Sequence, residues 1–201
     1  MLDGWARKRI DPVLDAGGVL LARAGVSADA VTFVAFGVGL LAAAAIAKGW
    51  FLTGLALLLA SRLGDGLDGA VARVNGRTDR GGYLDIVLDF AFYGAIPLGF
   101  VLADPAANAV SGAVLLLSFY VNGSTFLAYA VMAERRKLPG KPRGEKSLFF
   151  TAGLAEATET LAVFTAFCLF PGWFPAIAYA FAALSFYTAL SRIVLAARTF
   201  R

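Results

Sequence analysis

The stretch Leu57-Leu58-Leu59-Ala60-Ser61-Arg62-Leu63-Gly64-Asp65-Gly66-Leu67-Asp68-Gly69-Ala70-Val71-Ala72-Arg73 passes without a turn signal from hydrocarbon into charge. Its apolar part, Phe51–Leu63, falls short of the roughly 20 residues that cross a bilayer. It spans only if the helix runs on past Arg62 to Arg73 with its polar end outside the lipid. On such a helix Asp65 and Asp68, three apart, project from one face. After a short basic loop, Gly81-Gly-Tyr-Leu-Asp85-Ile-Val-Leu-Asp89 opens the next helix, again with two carboxylates on one face. If the two helices are antiparallel neighbours, four aspartates converge at one membrane surface.

The rest of the chain agrees with a bilayer as solvent. Of 201 residues 59% are apolar and only 16% charged, and the mean hydropathy is +0.73, far from the balance of a soluble domain. The length suits one membrane domain spanning residues 1–201. A single cysteine, Cys168, excludes an intrachain disulfide, and the lack of histidine leaves carboxylates for proton and metal chemistry. Residues 2–24 lack the uninterrupted apolar core of a cleavable signal. Leu2, Trp5, Ile10, Val13, Leu14, Leu20 and Leu21 alternate with charges in a helical rhythm, which predicts an amphipathic interfacial helix; a frayed tail is the plainer alternative.

Six apolar segments follow, near 31–47, 51–63, 83–102, 106–132, 148–170 and 174–197, separated by Lys48-Gly49, Asp104-Pro105 and Pro171-Gly172. The predicted fold is all-α and polytopic: six transmembrane helices over 31–197 plus the interfacial helix. Basic residues alternate between loops. Arg7, Lys8, Arg9 and Arg23 precede the bundle; Arg73, Arg77 and Arg80 flank the second loop; Arg135, Arg136, Lys137, Lys141, Arg143 and Lys146 fill the fourth; Arg198 and Arg201 end the chain. The odd loops hold only Lys48. This pattern places both termini and the aspartates on the cytoplasmic side of what would be a bacterial cytoplasmic membrane. The net charge of +4 is thus a topology signal, and nucleic-acid binding is set aside.

Four anions near hydrocarbon repel one another and need compensation. Oxygen ligands without histidine or spare cysteine suit Mg²⁺ or Mn²⁺ and argue against zinc. A pair of such ions also neutralises a pyrophosphate and its leaving group. Gly69 and Ala72 would let a ligand approach the helix backbone, with Arg73 as a cationic phosphate donor. Asp79 reads as an ordinary solvated loop residue, and an EF-hand lacks its remaining ligand positions.

Asp65-x2-Asp68-Gly69-x2-Ala72-Arg73 followed by Gly81-x3-Asp85-x3-Asp89 closely resembles the signature of the CDP-alcohol phosphotransferase family, membrane enzymes of phospholipid synthesis with six transmembrane helices. Val26-Ser27-Ala28-Asp29-Ala30-Val31-Thr32 is similar to the family's start of the first helix, without its frequent proline. Seven residues, not the usual eight, separate Arg73 from Gly81. The resemblance implies that Asp65, Asp68 and Asp85 hold metal, that Asp89 completes a second ion's site and serves as general base, and that Asp29, Gly69, Ala72, Arg73 and Thr78 contact the donor. It implies a CDP-activated lipid or alcohol as donor, CDP-diacylglycerol being favoured, an alcohol or lipid acceptor, release of CMP, and a homodimer among membrane lipids.

Glu156 and Glu159 share a face of the fifth segment. An intramembrane acid is a functional candidate by default. They either line the acceptor cavity, join a polar network with Arg62, Asn122 or Arg192, or make a helix contact across a dimer. The basic fourth loop could hold a phosphorylated acceptor, but orientation and anionic lipid explain it more simply. Gly37, Gly39 and Ala42–Ala45 allow close helix packing. A transporter or ion channel is the rival of another class. It would place its acids near the midplane, commonly with an inverted repeat, and neither feature is seen.

Overall fold

The computed structural model describes residues 3–137 and 157–200, with side chains from Pro12 onward. Helix α1 runs Asp3–Arg23, α2 Ala28–Ala47, α3 Phe51–Asn75, α4 Asp79–Ala103, α5 Pro105–Arg135, α6 Ala157–Leu169 and α7 Phe174–Thr199, with a 3-10 turn at Pro171–Trp173 before α7. Each predicted apolar segment therefore corresponds to a helix. Of these, α2, α4, α5 and the Pro171–Thr199 stretch are long and apolar enough to cross a membrane. Helix α3 continues through the charged stretch to Asn75, two residues beyond the expected Arg73. At 1.5 Å per residue its 25 residues extend about 37 Å, enough to leave the hydrocarbon while still helical. The first nine residues of the 148–170 segment lie outside the described residues.

Local chemistry sets the boundaries. Ser27 caps α2 by accepting the Ala30 N–H at 3.2 Å, Thr78 caps α4 by accepting the Gly81 N–H at 3.0 Å, and Asp104 caps α5 through the Ala107 N–H at 3.1 Å, with Pro105 at the first helical position. The Thr78 cap explains why α4 starts at Asp79, ahead of the Gly81–Asp89 stretch and of the apolar segment near 83–102. Gly76, at φ +94°, makes the reversal between α3 and α4 that a side chain would oppose.

Helix α2 packs against both α3 and α4, α4 also against α5, α5 against α7, and α1 against α3. Small residues make the close approaches. A Cβ on Gly39 of α2 would lie 2.6 Å from the Phe92 ring and 2.9 Å from Ser61 Oγ. One on Gly18 of α1 would lie 2.5 Å from Ala70 Cβ, which is how α1 seats on α3. Between lipid-embedded helices such fit, not water exclusion, drives association. The centre holds Leu58, Phe92, Ile96, Phe100, Phe164, Phe167 and Phe174, all buried. Phe100 stacks on Phe174 at 5.1 Å between ring centres, and Phe167 meets Phe174 at 4.6 Å. Large apolar side chains such as Leu41, Leu52, Val110 and Leu190 point outward, as lipid-facing residues do. The apolar residues Val13 and Leu20 of α1 are likewise exposed, whereas the side chains of Leu2, Trp5 and Ile10 lie outside the described residues.

Candidate active site

The polar ends of α3 and α4 meet beside the start of α2. Asp65 and Asp68 come from α3 and Asp85 from α4, and one carboxylate oxygen of each lies within 4.8 Å of the others. Asp65 and Asp85 are half-buried and Asp68 is buried. Ligand oxygens around one octahedral ion at about 2.1 Å stand roughly 3 to 4.2 Å apart. The three aspartates therefore need only a small closure to hold Mg²⁺ or Mn²⁺, and an all-oxygen donor set suits such hard ions.

Asp68 is held from the opposite side. Thr32 Oγ1 donates to its Oδ2 at 2.6 Å, tying α2 to α3. Ser61 Oγ, about two turns before Asp68 on α3, donates to the Ala35 carbonyl at 2.7 Å, a second tie between the same helices. Asn75 Nδ2 donates to the Val26 carbonyl at 3.2 Å and closes the end of α3 over the α1–α2 turn.

Asp89 has a different partner. Arg62 Nη1 donates to Asp89 Oδ1 at 2.6 Å and lies 3.5 Å from Asp65 Oδ1. The guanidinium sits 3.7 Å above the centre of the Phe92 ring and 5.9 Å from that of Tyr93. A cation so placed screens the repulsion between the two carboxylates, and the aromatic face compensates part of its lost hydration. The structure thus groups three of the four expected aspartates and gives the fourth to an arginine.

The expected donor contacts fall into two sets, Gly69, Ala72 and Arg73 on α3 and Asp29 and Thr78 at the starts of α2 and α4. Gly69 meets nothing a Cβ would touch except Arg73 Nη1 at 3.7 Å, so the helix backbone there is open. Ala72 is half-buried one turn on. Arg73 forms an ion pair with Asp15 of α1. Asp29, in the first turn of α2, faces Arg80 Nε at 3.5 Å, and its Oδ1 would lie 3.3 Å from a Cβ on Gly81. Thr78 spends its hydroxyl oxygen on the α4 cap. Asp79 is exposed, as expected. Glu159 lies half-buried in the first turn of α6, while Glu156 and the basic residues Lys141, Arg143 and Lys146 lie outside the described residues. Of the other residues considered for a glutamate network, Arg62 takes Asp65 and Asp89, and Arg192 Nη1 donates to Asn122 Oδ1 at 2.7 Å.

Sequence reasoning missed Arg62 as a partner of Asp89, Thr32 as a partner of Asp68 and Asp15 as a partner of Arg73. A signal existed for the first. An arginine in an apolar run, three residues before Asp65, shares its helical face.

A model of the CDP-alcohol phosphatidyltransferase family matches residues 25–191. The chain is 44% identical over 193 residues to the inner membrane protein YnjF of Escherichia coli, covering 96% of this chain and 94% of that one. It is 31% identical over 194 residues to the archaetidylinositol phosphate synthase of Methanothermobacter thermautotrophicus, covering 94% and 88%. Its fold is similar to that of the phosphatidylinositol phosphate synthase of Mycobacterium tuberculosis, solved with CDP-DAG bound, at a TM-score of 0.72 and 22% identity, covering 90% of this chain and 92% of that one. The same synthase solved with manganese and citrate gives a TM-score of 0.72 at 22% identity, covering 90% and 87%. The chain belongs to the CDP-alcohol phosphatidyltransferase family. It is a multi-pass membrane enzyme of phospholipid synthesis, a transferase for substituted phosphate groups that works with divalent metal, and the transporter reading falls away.

Proposed function

We propose that this enzyme transfers a phosphatidyl group from CDP-diacylglycerol to an alcohol hydroxyl and releases CMP on the cytoplasmic side. The observation that carries this reading is the convergence of Asp65, Asp68 and Asp85 within 4.8 Å at the polar ends of two adjacent helices. Divalent ions there, a first held by Asp65, Asp68 and Asp85 and a second whose site Asp89 completes, would supply positive charge for the donor pyrophosphate and its leaving group. The open backbone at Gly69 and Ala72, with Arg73 beside it, receives the cytidine diphosphate, and Asp29 and Thr78 are assigned further donor contacts. Asp89, one turn deeper than Asp85, takes the proton of the acceptor hydroxyl. The oxygen then attacks the β-phosphorus, and CMP leaves with the bridging oxygen. Positioning and electrostatics supply most of the rate enhancement in such a transfer.

The donor assignment draws on the synthase solved with CDP-DAG. Sidedness draws on the alternation of basic loops. The homodimer, and residues 1–201 acting as one domain, rest on the family pattern. Glu156 and Glu159 are assigned to the acceptor side, and each glutamine variant is expected to raise the acceptor KM; an unchanged KM in both removes that assignment.

The test is CMP release from CDP-diacylglycerol in detergent with Mg²⁺ or Mn²⁺, across inositol, inositol phosphate, glycerol 3-phosphate, serine, choline and phosphatidylglycerol. Metal-dependent CMP release with one acceptor, abolished in Asp89→Asn, is the expected result. No release with any of them, or full activity in Asp89→Asn, refutes the reading.

A further inference from the structure

Between Asp65 and Asp89 the chain supplies a cation of its own. Arg62 Nη1 donates to Asp89 Oδ1 at 2.6 Å and stands 3.5 Å from Asp65 Oδ1. One nitrogen thus serves an oxygen from each carboxylate, as a metal ion shared by the two would. The donor set fits such an ion, because carboxylate oxygens are what Mg²⁺ and Mn²⁺ take. The same oxygens cannot face a guanidinium and a divalent ion together, and two cations that close repel strongly near hydrocarbon. Arginine and second ion therefore compete. The arginine is nearer to Asp89 than to Asp65, so the competition falls mainly on the ion that Asp89 would hold.

The surroundings suit an arginine that can give way. Only 13% of its side chain is exposed, and desolvating both partners of a buried ion pair cancels most of their attraction, so stability is a poor reason for it. Its seat does not depend on the carboxylates alone. The guanidinium lies 3.7 Å above the Phe92 ring, and Nη2 is 3.3 Å from Ser61 Oγ. Nε is buried without a hydrogen-bond partner, so the group is not fully satisfied where it stands. We propose that Arg62 is the resident counter-cation of the second ion's site: it neutralises Asp65 and Asp89 before that ion binds, and the ion enters by displacing it. Loading is then ordered. The Asp65–Asp68–Asp85 group takes its ion with Arg62 in place, and the second ion binds more weakly because it must first move the arginine. This inference rests on the reading that Asp89 completes the second ion's site.

The test is a Mn²⁺ titration of the full-length protein in detergent, without substrate, followed by electron paramagnetic resonance. The method counts free Mn²⁺ and shows a spin-coupled signal when two ions share carboxylates. The wild type is compared with Arg62→Gln, Arg62→Met and the Arg62→Gln/Asp89→Asn double variant. The wild type is expected to bind one ion tightly and a second more weakly. In Arg62→Gln the second ion is expected to bind about tenfold more tightly, the worth of one charge-assisted hydrogen bond, with little change in the first. Tighter binding on removal of a side chain is not what a merely structural role produces. The double variant is expected to lose the coupled signal. Arg62→Met, which keeps an apolar stem against Phe92, carries the same comparison should Arg62→Gln not yield a folded protein. The proposal is overturned if the second ion binds the Arg62 variants no more tightly than the wild type, if the wild type binds two ions with equal affinity, or if no protein shows a coupled signal. Failure to form CMP with any acceptor would sink the proposed reaction, whereas the Mn²⁺ comparison judges Arg62 without turnover.

Discussion

Thr32 donates to Asp68 across 2.6 Å, joining the first turns of α2 to the metal-ligand group near the far end of α3. The same hydroxyl lies 3.0 Å from the Ala28 carbonyl, yet it has one proton. The shorter, charge-assisted contact takes it. Asp68 is therefore oriented by a residue of another helix, as metal ligands generally are by outer partners. Thr32→Val keeps the shape and removes the donor. We expect Mn²⁺ affinity, measured by titration calorimetry, to fall about tenfold, with kcat/KM following it. Unchanged affinity would mean that Asp68 is oriented by its own helix alone.

Arg73 and Asp15 are both solvent-accessible, so their ion pair contributes little to stability. Its effect lies in competition, because the donor's phosphates must draw Arg73 away from Asp15. Asp15→Asn is expected to lower the donor KM about two- to fivefold, the worth of an exposed ion pair, with the effect fading at high salt. Initial rates across CDP-diacylglycerol concentrations at two ionic strengths check this. A raised KM would indicate that Asp15 helps to aim Arg73.

Close packing of α2 at the core depends on Gly39. A methyl there would press into Phe92 and Ser61, the residues that seat Arg62. Gly39→Ala is expected to cost about 1–3 kcal/mol, the usual range for overpacking, seen as a lower unfolding temperature in detergent. Gly37 has nothing within 4 Å of a built Cβ, so Gly37→Ala is the matched control that should unfold near the wild-type temperature.

Much of this could be read before any coordinates. Apolar runs broken by Lys48-Gly49, Asp104-Pro105 and Pro171-Gly172 marked the helices, because lipid demands continuous apolar surface and glycine or proline ends a helix. The three- and four-residue spacings placed each aspartate pair on one face. The Arg62–Asp89 and Thr32–Asp68 pairings, 27 and 36 residues apart, depend on how α2, α3 and α4 are rotated against one another, and a single sequence does not encode that rotation legibly. Thr78 shows a different failure. Thr78-x-x-Gly81 before α4 is a capping position readable by rule, and the family pattern drew attention to the donor instead.

Sidedness is open to direct test. Cys168 is buried, so it contributes little labelling background. Arg77→Cys, in the exposed turn between α3 and α4, is expected to react with a membrane-impermeant maleimide only in inverted membrane vesicles. Trp50→Cys, exposed at the start of α3, is expected to react only in intact spheroplasts. The opposite pattern would turn the proposed orientation over.

The account stands or falls on the metal-ligand group, and a Mn²⁺ titration of CMP formation from CDP-diacylglycerol, run on the wild type beside Asp85→Asn, addresses it most directly. With Asp85 supplying one of three converging carboxylates, the variant is predicted to need at least tenfold more Mn²⁺ and to reach a rate at least 100-fold lower at saturation. Superimposable titration curves for the two proteins would contradict it.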